Sequence, residues 1–175
     1  SIGYTSGDRR LMTDFVLFDE EFQQIKEVIG RLKADAQAKV VFIVDKNGQQ
    51  IAAQGDLESL DTTSLASLTA GNVAATDGLA KLIGEREFPV LFHEGEKDNV
   101  YISIVGQRVI LVIIFDERSS LGLVRLRVRK ATQDLERIFD TIQRKVEEEK
   151  ERRHEGIDSP FAEITDEDID SLFRE

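Results

Sequence analysis

Seven consecutive apolar residues, Val109-Ile110-Leu111-Val112-Ile113-Ile114-Phe115, leave this chain few ways to fold. The run is far short of the roughly 20 apolar residues a membrane helix needs. It reads instead as a fully buried strand. A second β-branched run, Val40-Val41-Phe42-Ile43-Val44, ends in Asp45-Lys46-Asn47-Gly48. Asn-Gly supplies the positive φ angles of a tight hairpin, so Gln50 to Ala53 should return antiparallel. Pro89 to His93 and Asn99 to Val105 read as two more strands, and Gly106-Gln107 turns the chain into the apolar run.

Helical periodicity fills the gaps between these strands. Phe22, Ile25, Ile29, Leu32 and Ala36 recur at steps of three and four, as on one face of an amphipathic helix. Asp61-Thr62-Thr63 offers capping oxygens for a second helix that ends at Gly84. Leu121, Val124, Val128, Ala131, Leu135, Ile138 and Ile142 form the stripe of a third. The predicted order is helix, two strands, helix, three strands, helix: an α+β domain over residues 18–146. Residues 1–17 are an N-terminal extension. Met12 is the sole methionine, so translation is expected to start there, with residues 1–11 foreign to the native chain. Beyond Ile142 the stripe fades into a charged stretch, 147–158, a solvated helix extension or linker that Gly156 and Pro160 should break. Residues 159–175 read as an amphipathic docking segment. Thr165 and Asp168 resemble a capping box, and Phe161, Ile164, Ile169, Leu172 and Phe173 are its apolar anchors. A helix that short is marginal in water unless it docks.

Charge narrows the partners. The net charge is −11, and residues 143–175 hold six Lys/Arg against twelve Asp/Glu, more than half of that excess. Nucleic acid and membrane insertion are therefore not expected. The absence of cysteine removes disulfides and thiolate metal sites, and suits a reducing compartment. No GxxxxGK[ST] loop is present, so the chain is not expected to hydrolyse a nucleotide itself. His93 and His154 lie far apart, and none of the serines has a nucleophile signature such as G-x-S-x-G. No catalytic residue, metal or cofactor is expected.

The informative element is the second helix. Leu65, Leu68, Leu79, Leu82 and Ile83 are expected to pack on the sheet. Ser67, Ala70, Gly71, Ala74, Gly78 and Lys81 fall on another side and are almost all small. Gly inside a helix costs about 0.5–1 kcal/mol relative to Ala, so a flat, uncharged face of this kind suits a protein interface. On the third helix Arg125, Arg127, Arg129 and Lys130 form a basic face. It reads either as solvated or as a surface for an acidic partner, this chain's own acidic tail included.

The order of elements resembles that of the roadblock/dynein-light-chain family. Ala38 to Gly48 looks like its first hairpin, and Asp61 to Ala75, Phe92-His93-Glu94-Gly95 and Ser120 to Arg125 narrow the likeness to bacterial members that regulate a Ras-like small GTPase. The resemblance implies a five-stranded antiparallel sheet with one helix on one face and two on the other. It also implies a cytoplasmic homodimer joined through second helices and third strands, in places gathered at a cell pole. Two copies would bind one GTPase and speed GTP hydrolysis by repositioning the GTPase's own catalytic residues, with no inserted arginine. Ala70, Ala74 and Gly78 would lie in the GTPase-binding surface, and the tail would affect nucleotide exchange. The alternative is a scaffold that holds a GTPase or motor without changing turnover.

Overall fold

Val109 to Phe115 cannot present either side to water, and the chain covers both. The structure is a computed structural model that describes residues 9–12 and 15–161, with side chains from Phe18 to His154. A short hairpin of β1 (Arg9–Met12) and β2 (Phe15–Phe18) precedes α1 (Asp19–Asp35). Then come β3 (Val40–Asp45), β4 (Gln50–Gly55), α2 (Thr62–Leu82), β5 (Val90–Glu94), β6 (Asn99–Val105), β7 (Val109–Phe115) and α3 (Leu121–Phe161). The sheet is five-stranded and antiparallel, in the order β4-β3-β7-β6-β5. From α1 onward this is the predicted succession; the β1–β2 hairpin is additional.

β3 and β7 pair in the interior, Val41 opposite Ile113 and Phe42 opposite Val112. Successive side chains alternate between two cores. Val41, Ile43, Leu111, Ile113 and Phe115 pack with Ile25, Ile29 and Leu32 of α1 and with Val124, Val128, Leu135 and Ile138 of α3. Val40, Phe42, Val44, Ile110 and Val112 pack with Ala66, Ala70 and Val73 of α2. Helices thus cover both faces, α1 and α3 on one and α2 on the other. The β3–β4 turn is tied by Asp45, whose Oδ1 accepts from the backbone N–H groups of Asn47 and Gln49, both at 2.9 Å. Gly48 takes φ +89°, and a Cβ there would stand 3.1 Å from the Cα of Ser67, so the turn fixes how closely α2 approaches.

One charge is buried where α1 begins. Glu21 sits in the core side of α1, and the ammonium of Lys145 on α3 donates to its Oε1. Glu20 lies 3.8 Å from the same ammonium, which also sits 5.5 Å from the centroid of the Phe18 ring. The hydrogen bond to Glu21 raises the Lys145 pKa above its ordinary value. Among the described residues Glu21 Oε2 has no hydrogen-bond partner. This clasp joins α1 to α3 just beyond Ile142.

The charged stretch 147–158, read as a helix extension or a linker, is a helix extension, and the expected break at Gly156 and Pro160 does not occur before Phe161. α3 continues through it to Phe161, just past Pro160, and has 41 residues, a length of about 60 Å. Residues 143–153 are rich in strong helix formers supported by i,i+4 pairs, Gln143 with Glu147 at 3.3 Å and Arg152 with Glu148 at 3.8 Å. Against that run a single glycine, costing about 1 kcal/mol, does not end the helix.

Lys145→Met should lower the unfolding free energy by about 1–3 kcal/mol, because the Glu21 carboxylate stays buried without its cation. Replacing both residues, Glu21→Met with Lys145→Met, should recover most of that loss. Urea denaturation of the two variants checks this.

Candidate partner-binding surface

α2 begins at a well-made cap. Asp61 Oδ1 accepts from the backbone N–H of Ser64 at 3.1 Å, and its Oδ2 accepts from the Ser64 hydroxyl at 2.6 Å. These bonds, the hydroxyl's first, hold the Asp61 carboxyl below its ordinary pKa.

The helix packs on the sheet through small residues, Ala66, Thr69, Ala70, Val73 and Ala80. The expectation that its large residues face the sheet is overturned for four of five. Leu68, Leu79, Leu82 and Ile83 are 72%, 54%, 86% and 61% exposed, and only Leu65 is packed against the core. The cause is proximity: with the β3–β4 turn against Ser67 and Ala70, the layer between helix and sheet has room only for small side chains. The large ones are turned outward into a ridge.

Of the residues expected to form the small face, Ser67, Gly71, Ala74, Gly78 and Lys81 are exposed. Ala70 is not: it is buried under α2, beside Gly48. Helical geometry separates the exposed residues into two faces. Asn72, next to Leu68 and Leu79 around the helix, hydrogen-bonds His93 of β5 at 3.2 Å. The leucine ridge therefore leans toward β5, one of the two edge strands of the sheet. Ser67, Gly71, Ala74 and Gly78 lie on the flank nearer the β3–β4 turn. A Cβ built on Gly71 or on Gly78 meets nothing within 4 Å.

The β5 edge adds apolar surface that the sequence pattern does not single out. Val90 and Phe92 are exposed on the face that α1 and α3 cover elsewhere, and the Phe92 ring stacks on Phe115 at 6.2 Å. The excess of apolar residues in α2, too many for one stripe, was the available signal for such a surface. Phe161 ends α3; Ile164, Ile169, Leu172 and Phe173 lie outside the described residues.

Among the described residues no group of His, Asp and Glu could hold a metal ion, and no helix is long and apolar enough to cross a membrane. In the cleft between the β6–β7 turn and α3, Arg108 is held by the Phe139 carbonyl at 3.3 Å and by Asp140 at 3.9 Å. Those charges serve the fold.

An open antiparallel sheet with one helix beneath and two above, carrying an apolar helix ridge beside a free edge strand, defines a binding module of the roadblock type. The chain belongs to the Roadblock/LC7 domain family, whose pattern matches residues 24–115. Among solved structures it is similar to Myxococcus xanthus MglB at 62% identity, covering 73% of this chain and 96% of that one, with a TM-score of 0.70. The gliding protein MglB of Thermus thermophilus is 33% identical over 73% of this chain and 97% of its own, TM-score 0.68. An MglB described in a tetrameric arrangement is 31% identical over 75% and 99%, TM-score 0.70. Comparison of the sequence with curated proteins returns no match.

The Asp61 cap gives a pH test. Its folded pKa lies below the unfolded value of 3.8, so the stability it contributes is complete above 3.8 and fades as pH falls through the lower folded value. The Tm gap between the wild-type chain and Asp61→Ala should be full at neutral pH and narrow in strong acid, as read by circular dichroism melts.

Proposed function

We propose that this chain acts as a cytoplasmic homodimer that binds a Ras-like small GTPase of the MglA type and stimulates its GTP hydrolysis. The observation that carries the reading is the state of Gly71 and Gly78. Both sit inside α2, where glycine is costly, and among the described residues neither is required by a neighbour. An outside backbone coming close to α2 accounts for both. The similarity to MglB proteins supports the choice of partner.

In this reading the two exposed faces of α2 have different occupants. The leucine ridge and the β5 edge meet a second copy, burying Leu68, Leu79, Leu82 and Ile83 and pairing the free strand. The small flank, Ser67, Gly71, Ala74, Gly78 and Lys81, then receives the GTPase, with two copies per GTPase. Ala70 supports that flank from beneath. The chain brings no catalytic group; hydrolysis is sped by repositioning the GTPase's own residues. Arg125, Arg127 and Arg129 sit on α3, on the opposite side of the sheet, and play no part at this contact. The tail anchors Ile164, Ile169, Leu172 and Phe173 modulate nucleotide exchange, and control of polarity from a cell pole is the cellular role.

GTP turnover by an MglA-type GTPase, measured with and without a twofold excess of this protein, tests the proposal. A rise of about tenfold or more, a barrier lowered by about 1.4 kcal/mol, is expected. Binding without faster turnover would make the protein a scaffold.

The glycines yield a sharper test. Gly71→Ala and Gly78→Ala should each stabilise the chain by about 0.5–1 kcal/mol while weakening GTPase binding. Ala74→Arg and Gly78→Arg should abolish binding and leave the homodimer folded. Denaturation midpoints and titration calorimetry with the GTP-bound partner read the two effects; unchanged binding in the arginine variants would displace the interface from this flank.

A further inference from the structure

Early in α3, on the side of the sheet away from α2, Leu126 is 59% exposed and stands among Arg125, Arg127, Arg129 and Lys130, all exposed. Arg125 and Arg129 are like charges at i,i+4, a spacing that destabilises a helix. Among the described residues neither they nor Arg127 have an acidic partner. Asp134 is taken by Lys130 at 3.2 Å and by Arg137. One turn before Leu126, Gly122 has nothing among the described residues within 4 Å of where a Cβ would stand, so the helix surface beside the leucine is open. An apolar anchor beside three arginines with no acidic partner among the described residues, in a chain of net charge −11, calls for an apolar ligand with an acidic rim.

Residues 162–175 have that chemistry: six Asp/Glu, one Arg and the apolar Ile164, Ile169, Leu172 and Phe173. Length decides where such a segment comes from. Phe161 lies 32 residues beyond Arg129 on one continuous helix, about 48 Å along its axis. The 14 residues after Phe161 span about 48 Å only when fully extended, which would leave nothing to lie on the cationic face. Segment 162–175 therefore cannot settle on the cationic face of its own chain.

We infer that the cationic face of α3 around Leu126 docks the acidic segment 162–175 of a second copy of this chain. The contact is heterologous, tail to helix, and distinct from the α2 and β5 surface. It needs no GTPase, so it stands or falls independently of the proposed function.

The chain has no cysteine, which permits a direct test on the full-length protein. A double variant, Leu126→Cys with Leu172→Cys, is oxidised and run on a non-reducing gel. A control pair, Gln143→Cys with Leu172→Cys, moves the first thiol well down the helix, off the cationic face. Disulfides joining two or more chains, formed about tenfold or more faster than in the control, are the expected result. Adding Arg125→Glu and Arg129→Glu, or high salt, should return the rate to the control level. Circular dichroism of each variant confirms that the fold is kept. Crosslinks within a single chain, crosslinks no faster than in the control, or crosslinks indifferent to the charge reversal would each overturn the inference.

Discussion

The pairing of β3 with β7 governs the rest of the structure. Both strands are apolar on both sides, so their ladder is stable only with a layer packed on each face. α1 and α3 supply one layer with large side chains, Ile25, Ile29, Leu135 and Ile138 among them. α2 supplies the other with small ones. A helix that packs through alanine lies close to its sheet, and its larger residues must then go elsewhere. Burial of the central strands and exposure of the leucine ridge are thus two ends of one packing decision.

The same decision separates a cohesive side from a functional side. On α1 and α3 most of the apolar surface is spent internally, and Lys145 clasps α1 through Glu21 and Glu20. On α2 apolar surface remains to be covered, and on β5 backbone groups remain to be paired. Exposed apolar area and a free strand edge are hazards in a lone molecule, tolerated when another protein covers them. Family membership and the likeness to MglB agree with a protein whose work is done by association.

Much of this was legible in the sequence. The buried strands announced themselves through β-branched runs, and α1 and α3 through apolar stripes at steps of three and four. Both patterns are unambiguous because large apolar residues in them have one place to go. α2 is the exception because it is apolar nearly all round: periodicity then carries little information, and residue size, the remaining guide, points the wrong way. Ala70 was assigned outward and Leu68, Leu79, Leu82 and Ile83 inward; distance from the sheet, which a sequence does not display, reverses them. The β1–β2 hairpin was read as extension, since four-residue strands give too few alternations to register. The stretch 147–158 reads equally as helix extension or linker, because Gly156 and Pro160 argue for a break while the strong helix formers ahead of them argue against one.

The unbroken helix also sets a bearing. Among the residues whose side chains are described, Val146 is the last of α3 packed against the core, and the backbone runs on as helix for 15 residues to Phe161, a mast of about 22 Å. Because the mast is helical, the compass direction in which the chain departs at its tip depends on how many residues it contains. Inserting one would swing that direction by about 100° and raise it only about 1.5 Å. Inserting seven would nearly restore the heading, about 20° short of two full turns. Relatives whose masts differ by one or two residues would thus aim the chain beyond Phe161 at different quarters of the same surroundings, with every contact in the body unchanged.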